Sequence, residues 1–374
     1  MKYPVGVQSF EKLRNEGYVY VDKTALVYKL VQEGSSYFLS RPRRFGKSIL
    51  LTTIEAYFKG QKHLFEGLAL ADLETEWKEY PVLHLDLNAE RYETIGELEN
   101  ILDAYLREWE EMYDSTEGGN SSLSIRFRSV IRAAKKKTGK NVVILIDNSD
   151  APILQTIGNE ELQKEISRYL LAFYSVLKSA DADLRFVLLV GVGKLGPLNP
   201  FCDFNSLNDI TMSARFATLC GITEAELKLT FDKGVEALAA NYNQTKEDVC
   251  KMLRLRYGGF CFVEGTQDVY NPFSILNVLE TVTYSDYWCA MGLPAYLLDM
   301  LKKSDYKWCK LSELQTGSAG LYSQGTQSYP IPLLYQHGYL TIKGYDRHFS
   351  LYDLDFPNEE VREYFTNLIP TFSR

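Results

Sequence analysis

Gly46, Lys47 and Ser48 stand together in the stretch FLSRPRRFGKSIL. A glycine, a lysine and a hydroxyl in that order suit the end of a phosphate-binding loop. Backbone N–H groups turn inward around the phosphates, the lysine reaches their β and γ oxygens, and the hydroxyl takes a place on Mg2+. Arg43, Arg44 and Phe45 lead into the glycine and complete the cradle, two of them with added positive charge. The full pattern G-x-x-x-x-G-K-[ST] also carries a first glycine, and Arg41 occupies that place. A lone G-K-S triplet is common by chance and fits an ordinary helix start on a solvated surface. Here an apolar strand pattern precedes it and an amphipathic helix pattern follows, which is the context a phosphate loop requires.

A second requirement is an aspartate at the end of a neighbouring buried strand, to hold the metal. Asp147 ends the apolar run VVILID and meets it, although an aspartate after a strand is also a common turn or cap residue. A working ATPase usually carries glutamate next, to activate water. Here the next residue is Asn148. An amide orients a water but cannot take its proton, and general-base catalysis contributes about 10²–10⁴-fold. Asp150, two residues on, is the carboxylate that stands in sequence reach. A third requirement is a polar residue at a further strand end that senses the γ-phosphate. Val190, Gly191, Val192 and Gly193 offer no such side chain, and Lys194 at a strand exit is ordinarily just solvated. Arg215, in SARFATLCGIT, suits a charge-stabilising arginine finger toward a γ-phosphate, and equally a surface or cap arginine.

These residues need elements to position them. The pattern YVYVDKTALVYKLVQEG predicts a short strand and then a helix beginning after Asp22. PVLHLDLN over 81–88 predicts a second strand, and helices follow at about 94–113 and 122–138 around the loop STEGGNSS. NVVILID (141–147) and LRFVLLVGVG (184–193) are apolar runs of strand length, separated by a helical pattern over about 160–179. Strands alternating with helices of this size imply βαβ units and a parallel sheet with helices on both faces. Beyond it, TEAELKLTFDKGVEALAANY and TKEDVCKMLRLRY read as two helices, each opened by a threonine. A short hairpin and a helix follow in YGGFCFVEGTQDVYNPFSILNVLE, then a helix and two short strands of winged-helix-like pattern. The chain divides accordingly into an α/β domain over 1–222, a helical region over 223–290 and a C-terminal module over 291–374.

The 374 residues suffice for two or three units, and 45% apolar with 24% charged is ordinary globular composition. The net charge of −8 argues against a chain that binds polyanions over its whole surface. The six cysteines show no C-x-x-C pair and lie far in sequence from the four histidines, so the spacing favours reduced thiols over a zinc site. The N-terminus lacks the apolar core of a signal peptide, and no run of about eighteen apolar residues occurs. A cytoplasmic, membrane-free protein is the expectation.

Several segments together resemble the bacterial AAA-ATPase-like family: GVQSFEKLRNEGYVYVDKTALVYKLV, YFLSRPRRFGKSILLTTIEAYFKG, VVILID, ARFATLCGITEAEL, DVYNPFSILNVL and PIPLLYQHGYLTI. The resemblance runs from about residue 3 to residue 364. It implies a P-loop NTPase sheet flanked by helices, followed by a helical and winged-helix-like part, with ATP and Mg2+ as ligands. It also makes the missing first glycine a trait of the family. The sequence departs from the family where I-D-E-Y-D becomes Ile146-Asp147-Asn148-Ser149-Asp150, where Thr-Gly-Val-Ser/Thr-Lys becomes Val190-Gly191-Val192-Gly193-Lys194, and in the following LGPLNPFCDF. Many members continue into a PD-(D/E)XK nuclease domain, which is not expected here. The only E-x-K string of interest, Glu226-Leu227-Lys228, falls in a helical pattern, whereas nuclease carboxylates sit on strands.

The departures cluster at the Walker B and sensor positions, while Lys47, Ser48 and Asp147 are kept. The expectation is an ATP-binding protein that hydrolyses slowly or not at all, with nucleotide as a conformational ligand. The alternative is a non-catalytic module with a vestigial P-loop that binds a protein, another copy of itself or, less in keeping with its charge, a nucleic acid.

Overall fold

The computed structural model describes residues 1–88, 91–116, 121–194, 207–304, 306, 314–323, 325–326 and 328–372. The chain forms two compact units, each discontinuous in sequence. One comprises Thr24–Leu39 and Leu51–Ile210; the other comprises Met1–Lys23, Ser40–Leu50 and Thr211–Arg374. The segment LGPLNPFCDF lies outside the described residues, as do Cys202 and Cys309.

The first unit is built on a five-stranded parallel sheet. Its strands are β1 (Ser36–Ser40), β2 (Val82–Asp86), β3 (Val142–Asp147), β4 (Leu184–Gly191) and β5 (Asn208–Asp209), in the spatial order β2-β3-β4-β1-β5. β3 is buried along all six residues, which is why its sequence is a continuous apolar run and not an alternating one. Its register sets Asp86 opposite Asp147 at the ends of β2 and β3, and Ile146 opposite Leu189 on β4. β4 therefore stands between β3 and the strand that leads into the phosphate-loop sequence.

The helices of this unit start and stop where local chemistry dictates. Thr94 and Glu97 form a reciprocal capping box at the head of Ile95–Tyr113. Ser122 caps Leu123–Thr138, which ends at Gly139 in the left-handed conformation that glycine adopts without cost. Asn159 caps Glu160–Ser179. Phe127 and Phe173 stack at 4.5 Å between ring centroids and join the last two helices.

The second unit is mainly helical. Its core gathers Leu227, Leu238, Val249, Leu253 and Ile275 from four helices, Glu224–Thr230, Asp232–Tyr242, Lys246–Tyr257 and Pro272–Thr281, with Phe231 from the junction of the first two. A three-stranded antiparallel sheet follows, β6 (Leu314–Thr316), β7 (Thr341–Asp346) and β8 (Leu351–Asp355), ordered β6-β8-β7. The helix Ile331–Gln336 precedes the β7–β8 hairpin and Glu359–Phe372 follows it.

Two elements differ from the sequence pattern. Residues 18–22 form no strand; Val19 makes one backbone hydrogen bond, to Lys2, and with Val21 it packs on the helical core. Alternation alone does not make a strand where no partner edge is present. The long helix expected after Thr223 is broken at Phe231, which caps one helix and opens the next. Phe231 is 1% exposed, and burying its ring turns the chain into the core at the cost of helical continuity.

Candidate functional site

The phosphate-loop sequence is held by what it buries. Arg41 is 1% exposed, and its guanidinium donates to the carbonyls of Ser40 (2.8 Å), Thr211 (3.0 Å) and Phe216 (3.4 Å). The same group lies 4.3 Å from the centre of the Phe262 ring. A buried guanidinium needs this many acceptors, because its desolvation is otherwise costly. The residue in the place of the first glycine is thus a structural pin. Pro42 presses against Gly338, where a Cβ would lie 2.9 Å from the proline ring. Phe45 is buried between Phe260 and Phe262, and its carbonyl accepts from the Gly221 N–H at 3.2 Å. Trp288 donates its indole N–H to the Arg43 carbonyl at 3.2 Å.

These anchors leave the intervening residues outside. Arg43, Arg44 and Gly46 are exposed and Ser48 is half-buried. Arg44 and Gly46 have φ values of 66° and 90°. Left-handed backbone costs a non-glycine residue about 1 kcal/mol, and here the buried neighbours impose it. The Gly46 carbonyl accepts the first bond of the helix Lys47–Phe58, from Leu50 N–H at 3.0 Å. The helix dipole favours an anion at this end. Lys47 is 7% exposed, and its ammonium folds back to donate to the Arg41 and Pro42 carbonyls at 2.9 Å each. Among the described residues these are the acceptors a phosphate oxygen would replace. The loop therefore fits a polyphosphate: an open glycine at which a Cβ would meet nothing within 4 Å, exposed arginines, and a lysine curled over its own carbonyls.

His337, in the same unit, is buried with its pKa pushed down to about 4, by burial first and then by the charges of Arg43 and Lys47. Its Nδ1 faces the Leu333 carbonyl at 2.7 Å and its Nε2 faces the Tyr296 hydroxyl. A carbonyl only accepts, so the neutral ring carries its proton on Nδ1 and accepts from the tyrosine.

The carboxylate group belongs to the sheet unit. Asp147 is 3% exposed and accepts the Asn148 N–H at 2.8 Å. Asn148 has φ 52°, a conformation asparagine tolerates better than glutamate. Its side-chain amide donates to Asp86 Oδ1 at 2.8 Å, an oxygen that also accepts the Asn88 N–H at 2.9 Å. Asp150 is 1% exposed, and its Oδ2 accepts from the Val192 and Gly193 N–H groups at 2.8 and 2.6 Å. A Cβ at Gly191 would sit 2.7 Å from Asp150 Oδ1, so the glycine makes room for this clamp. Lys194 pairs with Asp209 on β5 and is not simply solvated.

The structure thus gathers Arg43, Arg44, Phe45, Gly46, Lys47 and Ser48 in one unit and Asp147, Asn148 and Asp150 in the other. Arg215 is exposed in a short turn, Ala214–Phe216, whose last carbonyl is held by Arg41. Asp86 is the participant that sequence reasoning passed over. Its signal was an acid ending an apolar run, as Asp147 does. Glu226 closes a capping box on Thr223 and pairs with Lys23 at 2.7 Å, a structural role for the E-x-K string.

A model of the predicted AAA-ATPase family matches residues 4–197, just over half of the chain. This protein belongs to the predicted AAA-ATPase family. The matched stretch takes in the G-K-S segment and strands β1, β2, β3 and β4. A protein of Azotobacter chroococcum mcd 1 described as "Uncharacterized protein in vnfD 5'region" is 33% identical over 368 residues, covering 96% of this chain and 68% of that protein. Membership in an AAA-ATPase-like family implies nucleotide and metal binding as its general character. Among the described residues no helix is long and apolar enough to cross a membrane.

Proposed function

We propose that this AAA-ATPase-like protein binds ATP with Mg2+ at its P-loop, hydrolyses it slowly or not at all, and uses the nucleotide as a conformational ligand in the cytoplasm. The observation that carries this reading is the Lys47 ammonium, held on two carbonyls of its own loop beside exposed backbone and two exposed arginines. Exchange of those carbonyls for phosphate oxygens puts the ammonium against an ionised acceptor in place of a neutral one. In the proposed complex Lys47 contacts the β and γ phosphates and the backbone from Arg43 to Gly46 cradles them. Ser48 and Asp147 hold the magnesium. Arg215 is the candidate finger. Bound Mg2+ would supply charge neutralisation at the phosphates.

Slow turnover follows from the carboxylate group. Asn148 cannot accept a proton from water, and its amide is engaged with Asp86. Asp150 spends Oδ2 on two backbone N–H groups, which supports a clamp more than a base. Nucleotide would then act by favouring one arrangement of the chain over another.

A second reading has one observation in its favour. The loop is tied into its own unit through Arg41, Phe45 and Trp288, so it could persist as packing alone in an interaction module that binds a protein partner or another copy, with residues 291–374 as its winged-helix-like end. Isothermal titration with Mg-ATP, on the wild type and Lys47→Ala, with released phosphate assayed in the same samples, separates the two. Saturable binding that Lys47→Ala abolishes, with little phosphate released, is the expected result. Absence of binding at millimolar ATP would leave the packing role.

A further inference from the structure

The helix Leu123–Thr138 carries three arginines and three lysines and no acidic residue, in a chain of net charge −8. Half of these cations are used internally. Arg126 is buried and bonds Glu110 and Asp103; Lys135 pairs with Asp183 and Lys137 with Asp114, each at 2.8 Å. The others, Arg128, Arg132 and Lys136, are exposed, and among the described residues none of them meets a carboxylate. They stand four residues apart, on one side of the helix, with about 6 Å of rise between neighbours. Lys140, also exposed, follows just past the helix end.

The geometry points to a nucleic-acid backbone as the ligand of this ridge: Arg128, Arg132 and Lys136 contact successive phosphates of a DNA or RNA strand without reading bases. This goes beyond the nucleotide reading and does not depend on it. A ridge about 12 Å long spans three to four phosphates of one strand, given about 3.4 Å of axis per phosphate. Guanidinium forks suit phosphate oxygens in pairs. A lipid surface is a poorer match, because the apolar face of this helix (Phe127, Val130, Ile131 and Ala134) is buried in its own unit, which leaves Ile125 as the exposed large apolar side chain of the helix, too little for insertion. A protein partner is poorer too: arginine suits an interface, but the centre of one needs aromatic or apolar anchors around it, and beside the ridge this helix exposes Ile125.

The test is fluorescence anisotropy of a labelled DNA duplex of about 20 base pairs, titrated with the full chain without ATP from about 50 to about 200 mM salt. Three phosphate contacts predict a log–log salt slope near −2.7, or about 40-fold weaker binding over that range. Arg128→Glu with Arg132→Glu is expected to weaken binding at least tenfold. Arg128→Gln with Arg132→Gln, a milder pair, is expected to flatten the slope by nearly two. Lys251→Glu, a single reversal at an exposed position of the other unit, removes none of the three ridge contacts and should leave affinity within about twofold of wild type. No anisotropy change at the lowest salt overturns the proposal. So does equal binding by the glutamine pair, or equally tight binding to phosphatidylglycerol vesicles that competes with the duplex.

Discussion

Asn148 donates its side-chain amide to the carboxylate of Asp86 at 2.8 Å, bridging the ends of β3 and β2 across 62 residues of chain. The position where an ATPase places glutamate thereby donates a hydrogen bond that an ionised carboxylate cannot make. Asn148→Glu would set two carboxylates against each other and lose the bond. We expect it to cost about 1–2 kcal/mol. The double exchange Asn148→Glu with Asp86→Asn rebuilds the pair with donor and acceptor swapped and should recover most of that loss. Urea denaturation of the three proteins measures it; a double variant no more stable than Asn148→Glu would show that the pair is not what holds these strand ends.

Arg41→Gly restores the missing first glycine of the motif and is expected to harm the protein. It strands the carbonyls of Ser40, Thr211 and Phe216 and removes the contact with Phe262. Loss of a buried cation that donates to three carbonyls costs about 3 kcal/mol or more. Chemical denaturation should show it, and the variant should bind Mg-ATP no better than wild type. A glycine variant of unchanged stability would remove the pin from the account of this loop.

The neutral state of His337 gives stability a defined pH dependence. Its folded pKa of about 4 lies below the ordinary histidine value. In the window between them the unfolded chain binds a proton that the folded protein does not. The contribution is therefore whole above about pH 6.5 and falls as pH drops toward 4, by about 2 kcal/mol at pH 5. His337→Gln lacks this titration, so the stability difference between wild type and variant should shrink by about that amount from pH 7 to pH 5. Parallel urea titrations at those two pH values report it, and a difference that stays constant would mean the ring is not held neutral.

Much of the sheet was legible. Val142–Asp147 and Leu184–Gly191 are apolar runs of strand length, and the helices before and between them announce their ends through Thr94, Ser122, Gly139 and Asn159. These signals are local: a cap acts over three residues and burial over a strand. Residues 18–22 and Phe231 misled for the opposite reason. A strand needs a partner edge, and a helix can be broken by one side chain drawn into a core, and neither is visible in a short window.

By itself the sequence determined the order of apolar strands and their helical connections, and it placed the G-K-S triplet at 46–48 and the strand-end aspartate at 147 on which the proposed site rests, because each of these rests on residues adjacent in the chain. Only the tertiary structure decided what the neighbouring residues do. Arg41 became a pin by meeting the Thr211 carbonyl 170 positions away, Asn148 a bridge by meeting Asp86, and Asp150 a clamp by meeting N–H groups 42 and 43 residues on. A buried polar group takes its role from whichever partner satisfies it, and those partners are brought together by packing within each unit, not by sequence proximity.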